Sequence, residues 1–128
     1  FTLYKRWHLI GLEVGVSVAS VALRGEPTGV ATAWNADVVA TAKRDLQPGE
    51  LLDGEGGYTV WGKLLPAATS TRLGGLPLGL AHGIKVVRPV KKGQSLSWAD
   101  VAIDTTTHAY RIRREMESLF AAPLLKAA

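Results

Sequence analysis

Short apolar runs separated by polar and glycine-rich stretches fill the middle of the chain, a pattern that is typical of β-strands. Strands are predicted at residues 37–42, 58–62, 84–90 and 97–104. Between them, residues 67–75 are predicted to form a mobile loop. Helix is therefore expected mainly at the two ends of the chain.

One short helical turn is predicted within the β-rich region, at residues 76–83. Pro77 stands near its start and Gly83 at its end, and these are the usual places for the two residue types.

Residues 8–23, HLIGLEVGVSVASVAL, predict a helix that is apolar around most of its circumference. Small residues form a stripe along it at spacings of three and four: Gly11, Gly15, Ala19 and Ala22. Such a helix is normally buried on several sides, so it needs a partner. The partner is either the remaining hundred or so residues or an upstream domain, and the start of the chain at Phe rather than Met favours excision from something larger.

A second helix is predicted from Asp104 onward, capped by Asp104 or by one of residues 105–107, and ended by Pro123. Its amphipathic face is expected to dock on the domain. That face consists of Ala109, Ile112, Met116, Leu119 and Phe120. Two i,i+4 pairs, Arg111 with Glu115 and Arg113 with Glu117, are expected on the solvent side.

The phrase RDLQPGELL at residues 44–52 returns as RPVKKGQSL at residues 88–96. Each copy places an arginine, an apolar residue, a tight turn with glycine and a leucine in the same order, which predicts two similar corners related by an approximate two-fold axis. Arg44 and Arg88 are candidate contacts for a substrate or another anion. Alternatively, their aliphatic stems cover apolar surface while the charged ends stay in water.

Composition limits the chemistry that the chain can perform. It has 128 residues and a net charge of +4, but its basic residues are scattered, which disfavours nucleic-acid binding. The absence of cysteine excludes disulfides, thiolate metal sites and a cysteine nucleophile. Three histidines, far apart in the chain, predict no metal site. The apolar run near the start is too short to span a membrane and contains Glu13.

Catalytic candidates are few. Glu13 lies in the apolar helix, where a carboxylate needs a partner or a raised pKa, and His8 lies beside it. These two are the candidate active-site pair, with helix capping or an interdomain ion pair as the alternative. The loop DGEGG at residues 53–57 lacks the dinucleotide-binding spacing, and GGLPLGLAHG is no phosphate-binding loop, so no cofactor-binding residue is predicted.

Residues 37–104 resemble the SAF domain, a β-clip fold. The resemblance rests on the phrase at 44–52, on residues 83–96 and on the closing Asp100-Val101. It implies a mainly β fold class: an SAF-like β-clip with a pseudo-two-fold repeat, an N-terminal apolar helix and a C-terminal amphipathic helix. The implied organisation is a helical segment at 1–36 that belongs to the edge of an upstream catalytic domain, the β-clip at 37–104, and a helix at 105–128.

A narrower resemblance extends to HLIGLEVGVSVASVALRGEPTG, DGEGGYTVWGKL, LPLGLAHG and YRIRREME. These segments are similar to the C-terminal part of bacterial homoserine-dehydrogenase-like NAD(P)-dependent oxidoreductases of the deoxyxylulose-phosphate reductoisomerase-like family. The resemblance implies a parent enzyme that uses NADP(H) or NAD(H). Its Rossmann domain or a second subunit would be the partner of this chain. A cytoplasmic homo-oligomer is expected, without nucleic acid or membrane.

Two functions stay open at this point. In the first, the chain is a non-catalytic module that forms an interdomain or oligomer contact, or a lid over the substrate. In the second, it is a stand-alone SAF binding module, of the kind found in flagellar P-ring chaperones or in sugar-binding proteins.

Overall fold

The computed structural model describes Tyr4, Gly11 and residues 14–126. The chain divides into two compact units, Phe1–Thr32 and Ala33–Ala128.

Among the described residues of the first unit, the chain forms one short helix. Helix α1 spans Val14–Ala19 and continues as a π-helical turn over Ser20–Arg24, which Gly25 ends in the left-handed conformation. The prediction of one continuous helix over 8–23 is wrong at Gly11, which lies in a turn at φ 85°. Most apolar side chains of the helix and its π turn are exposed, although the sequence predicted a buried helix: Val14, Val16, Val18, Val21 and Leu23.

The second unit is built on two antiparallel sheets. Strand β1, Ala36–Ala42, pairs along its whole length with β3, Val60–Pro66. In the other sheet, β4, His82–Val86, lies between β2, Leu51–Asp53, and β5, Val101–Ala102. A β-rich domain with flanking helices was predicted, and this coarse fold class is confirmed.

The two copies of the repeated phrase form turns with matching hydrogen bonds. Gly49 and Gly93 have φ of 94° and 81°. In the first turn the Glu50 amide donates to the Gln47 carbonyl at 3.2 Å, and in the second the equivalent bond, from Gln94 to Lys91, measures 3.0 Å. The side chains of Glu50 and Gln94 also accept from the amides of residues 47 and 91, at 2.7 and 3.2 Å.

Backbone hydrogen bonds join the two turns to each other. The Leu46 amide donates to the Val90 carbonyl at 2.8 Å, and the Val90 amide donates to the Leu46 carbonyl at 3.0 Å. Gly49 donates to Val86, and the equivalent Gly93 donates to Ala42, both at 2.8 Å.

The apolar positions of the phrase form the centre of the core. Leu46, Leu52, Val90 and Leu96 are all fully buried. Residues from four strands and from the segment around the short 3₁₀ turn pack with them: Ala40, Ala42, Val60, Leu76, Ala81, Val86 and Val101. Strand alternation does not by itself explain this core, because four consecutive residues of β1, Val39–Ala42, are buried and Leu46, Val90 and Leu96 lie outside the named strands.

Several local predictions need correction. Residues 67–75, predicted as a loop, contain helix α2, Ala67–Leu73, which Gly74 ends at a positive φ. Its Ser and Thr residues favour loops in isolation, but Ser70 donates a buried hydrogen bond to Asp37 at 2.5 Å. The predicted closing strand at 97–104 is instead a 3₁₀ turn, Trp98–Asp100, followed by the two residues of β5.

The predicted helical turn at 76–83 exists but is shorter than expected. It spans Leu78–Leu80, and its last capping position is Ala81 rather than Gly83, which lies inside β4.

Helix α3 spans His108–Lys126, so the prediction that Pro123 ends it is wrong. Thr107 caps its start by accepting from the Tyr110 amide at 3.4 Å. The predicted docking face is only partly used: Ile112 and Leu119 remain 51% and 66% exposed.

The half-buried face of α3 combines charged and apolar residues, because Arg113 and Glu117 share it with Tyr110, Met116 and Phe120. Arg113 and Glu117, predicted to be a solvent-facing pair, are 13% and 14% exposed. The periodicity identified the helix but misplaced part of its docking face, because it weighs apolar residues alone and ignores the buried acidic partner of Arg113.

Gly75 allows α2 to approach β1, and its replacement tests this packing. A Cβ at this position would lie 2.7 Å from the Ser70 hydroxyl and 2.9 Å from a methyl of Val39. We expect Gly75→Ala to lower the free energy of unfolding by about 1–3 kcal/mol, measured by urea denaturation. Gly79→Ala is the matched control, since nothing lies within 4 Å of its Cβ position. Equal stabilities of the two variants would contradict the packing.

Candidate functional site

Of the four site residues predicted from the sequence, the structure describes Arg44 and Arg88, which precede different turns. His8 and Glu13 lie outside the described residues. Arg44 pairs with Glu50 at 2.6 Å on the surface of the first turn, and this bond raises the pKa of Arg44 and lowers that of Glu50. Arg88 is exposed at the equivalent place in the second turn, where Gln94 replaces the carboxylate of Glu50. Arg88 is thus the more available of the two for an anion.

The glycine-rich loop at 53–57 already contains its own anion. The Asp53 carboxylate accepts from the Thr59 hydroxyl and from the amides of Tyr58, at 2.5 Å, and Thr59, at 3.0 Å. These bonds, led by that from the hydroxyl, lower the pKa of Asp53 to about 2. Because the carboxylate occupies these two amides, they are not available to a bound phosphate.

A buried charge pair joins the first strand to the last helix. Asp37 in β1, 7% exposed, accepts two hydrogen bonds from Arg113 in α3, at 3.0 and 2.5 Å. Ser70 donates to the same carboxylate, and the guanidinium lies 4.8 Å from the centre of the Trp34 ring. Burial raises the pKa of Asp37, but the bonds from Arg113 and Ser70 outweigh it and hold the pKa below its usual value.

The charges continue outward from this pair. Arg113 also donates through Nε to Glu117 at 2.8 Å, and Glu117 accepts from Arg114 through its other oxygen. The Arg114 guanidinium lies 5.6 Å from the centre of the Trp98 ring. Asp37, Arg113, Glu117 and Arg114 therefore form a chain of alternating charge that runs from the interior to the surface.

At the outer end of this chain lies a groove of about 350 Å³, called here the α2–α3 groove. Its lining combines hydroxyls, one ion pair and one indole ring: Ser70, Thr71, Gly74, Trp98, Arg114, Glu117 and Ser118. The ring of Trp98 is held from another side by an edge-to-face contact with Tyr110, at 5.5 Å between centroids. The groove can bind a small ligand that has both hydrogen-bonding groups and an apolar face.

Sequence reasoning missed this groove. Arg113 and Asp37 are 76 residues apart, so no local spacing links them. One available signal was a lone aspartate at the start of an apolar strand, because a buried carboxylate requires a cationic or hydrogen-bonding partner.

Two further observations concern the described residues only. Within residues 14–126, no three histidine, aspartate or glutamate side chains come close enough together to hold a metal ion. None of the helices described there has the length and the hydropathy that crossing a bilayer would require.

The Asp37–Arg113 pair predicts a loss of stability in acid. Since the folded-state pKa of Asp37 lies below the unfolded value, the stabilisation is complete above about pH 4 and is lost as pH falls through the folded pKa. At pH 7 we expect Asp37→Asn to cost about 3 kcal/mol, because Arg113 would lose its buried anion.

Urea unfolding of both proteins between neutral and acid pH measures this effect. The difference in free energy of unfolding between wild type and Asp37→Asn should shrink toward low pH. Glu55→Gln, an exposed control, should have nearly the same free energy of unfolding as wild type. A difference for Asp37→Asn that does not change with pH would contradict the assignment.

Comparison with known proteins agrees with the architecture of the second unit. The profile of the SAF domain family matches residues 37–102, just over half of the 128 residues. The match runs from Asp37 at the start of the buried charge chain to the end of β5, and it includes both turns of the repeated phrase. No curated protein matches the chain. The chain therefore belongs to the SAF domain family.

Proposed function

We propose that this chain is a non-catalytic SAF module of an NAD(P)-dependent oxidoreductase of the homoserine-dehydrogenase-like, reductoisomerase-like family. It would act as a contact to the Rossmann domain or to a second subunit, or as a lid over the substrate. NADP(H) or NAD(H) would then bind to the catalytic domain. The proposal also includes a cytoplasmic homo-oligomer. Each chain would have a helical segment at 1–36, the β-clip at 37–104 and a helix at 105–128.

The observation that carries this proposal is the exposed apolar surface of α1 and the π turn that follows it. Val14, Val18 and Leu23 are all largely exposed, and a shallow groove beside them is lined by Ser17, Val18, Val21 and Ala22. An apolar patch of this kind marks an interaction surface in soluble proteins. The segment also lies within one of the four stretches on which the resemblance to the oxidoreductase family rests.

The glycine-rich loop at 53–57 supports the part of the proposal that places cofactor binding outside this chain. A dinucleotide site needs free backbone amides at a strand-to-helix junction. In this loop Asp53 occupies the amides of Tyr58 and Thr59, and the seven residues of β3 separate the loop from the start of helix α2 at Ala67.

We also propose that the β-clip is built from two halves related by a pseudo-two-fold axis. The hydrogen bonds at the two turns support this relation. Each bond at the first turn has an equivalent at the second, and the two donors are 44 residues apart, as Gly49 and Gly93 are. Strand pairing extends the same relation: Thr41 bridges Ser95, and Leu51 pairs with Lys85. In this view the repeated phrase is a structural unit and has no catalytic role.

NADPH titration of the chain tests the cofactor part of the proposal. We expect no saturable change in NADPH fluorescence, because the chain offers no dinucleotide-binding loop. Saturable binding in the micromolar range would contradict the proposal.

Sedimentation velocity tests the contact part. In the absence of a covering domain, we expect the chain to self-associate through the exposed helix, and Val18→Asp to weaken that association at least about ten-fold by burying a charge. Val30→Asp is the matched control, since Val30 is an exposed valine outside the helix. Self-association of Val18→Asp equal to that of wild type would contradict this surface. A wild type that stays monomeric at every concentration would favour the stand-alone module instead.

A further inference from the structure

We propose that the outer edge of β3 pairs with the same edge of a second copy of this chain, as two antiparallel strands centred on Gly62. This inference goes beyond the proposed function, since it requires neither the cofactor nor the exposed helix α1. All of the residues that form the contact belong to the second unit, Ala33–Ala128.

Strand β3 lies at the edge of its sheet. The sheet consists of β1 and β3, and the other side of β1 is already occupied, because Ala40 bonds to Leu76 and Leu96, and Ala42 bonds to residues 93 and 94. Within the described part of the chain, no strand pairs with the outer side of β3. An edge strand with unpaired amides and carbonyls is a template for pairing with another chain.

Alternation along the strand identifies the residues that present these groups. Ala40 and Ala42 bond away from β3, so their partners in the register, Gly62 and Val60, make no backbone bonds to β1. The amides and carbonyls of both residues therefore point to the outer edge, and those of Leu64 do so by the same alternation. Three amides and three carbonyls are thus available along this edge.

One register pairs all of these groups. With Gly62 opposite Gly62 of the second copy, Val60 lies opposite Leu64, and each strand donates three hydrogen bonds and accepts three. A shift by two residues in one direction would place Val60 opposite Pro66, which has no amide. The opposite shift would place Leu64 opposite Tyr58, which precedes the strand and whose amide already donates to Asp53.

The charged and aromatic side chains favour the same register. With Gly62 at the centre, Trp61, which is 44% exposed, lies opposite the exposed Lys63 of the second copy. These two form a non-hydrogen-bonded pair, whose side chains are the closest across strands, and an ammonium group is attracted to an indole ring. A register centred on Lys63 would place two ammonium groups opposite each other, which is unfavourable. Lys63 therefore selects the register centred on Gly62.

Leu64 supplies the apolar part of the contact. Its side chain is 70% exposed, and Val38, its neighbour across the sheet, is 43% exposed. In the paired strands Leu64 lies opposite Val60 of the second copy, with both side chains on the same face of the sheet. Because Val60 belongs to the buried core, pairing brings Leu64 to the margin of the other copy's core and removes apolar surface from water.

Disulfide cross-linking tests this register, since the chain has no cysteine of its own. In the dimer, the Cα atoms of residue 61 in one copy and residue 63 in the other lie about 4.5 Å apart, within the range of a disulfide. Two residues 61 lie about 7–8 Å apart, which is too far. After mild oxidation, we expect an equimolar mixture of Trp61→Cys and Lys63→Cys to form at least about ten-fold more cross-linked dimer than either variant alone. Equal cross-linking in the three samples, or none in the mixture, would overturn the proposal.

Leu64→Pro tests the backbone pairing. Proline at this position removes an amide that points to the outer edge and makes no bond to β1, so the chain keeps its own sheet, which circular dichroism and thermal unfolding verify. Introduced into both cysteine variants, it should lower the yield of the mixed cross-link at least about ten-fold, because each copy loses a hydrogen-bond donor. Leu64→Ile is the matched control. It keeps the amide and the apolar side chain, and its cross-link should equal that of the parent variants.

Val18→Asp separates this surface from the exposed helix. Introduced into both cysteine variants, it should leave the mixed cross-link unchanged, because α1 takes no part in the pairing. Failure of the helix contact or of the cofactor prediction would therefore leave this result as it is. Loss of the cross-link in Val18→Asp, or its full retention in Leu64→Pro, would assign the contact to another surface and overturn the proposal.

Discussion

The reciprocal backbone pair between Leu46 and Val90 is the constraint on which the domain depends. Two amides and two carbonyls are satisfied at once, at 2.8 and 3.0 Å, between side chains that are fully buried. Breaking this pair would leave buried polar groups without partners, and each such group costs roughly 1–3 kcal/mol. The pair also fixes the distance between the two glycine turns, so Leu52 and Leu96 enter the same core.

The second constraint is electrostatic. Helix α3 is attached to the domain through Arg113, whose three donating nitrogens all bond to Asp37 or Glu117. Ile112 and Leu119 remain exposed on the outer side of α3, whereas Met116 and Phe120 are half-buried. The same charges position Glu117 at the edge of the α2–α3 groove, which links the attachment of the helix to the geometry of the candidate site.

Local chemistry made part of this structure predictable. The strand at 37–42 and the turns at Gly49 and Gly93 follow from short-range rules, because strand periodicity and positive φ act within a few residues. The start of α3 was located through its capping residues for the same reason.

Other features depend on contacts between distant residues. Helix α2 has a loop-like sequence, and only the bond from Ser70 to Asp37, 33 residues away, explains why its polar side chain is buried. The docking face of α3 depends in the same way on Asp37. Of the candidate site, the sequence indicated the surface arginines 44 and 88 but not the groove, which requires α2, Trp98 and α3 to come together.

Native-state hydrogen exchange of the Leu46 and Val90 amides tests the central role of their pairing most directly. If the two turns are joined as one cooperative unit, both amides exchange only through global unfolding and have the same protection. Their opening free energy from exchange then equals the free energy of unfolding measured by denaturation. Protection of one amide that is about a hundred-fold weaker than that of the other would contradict the account.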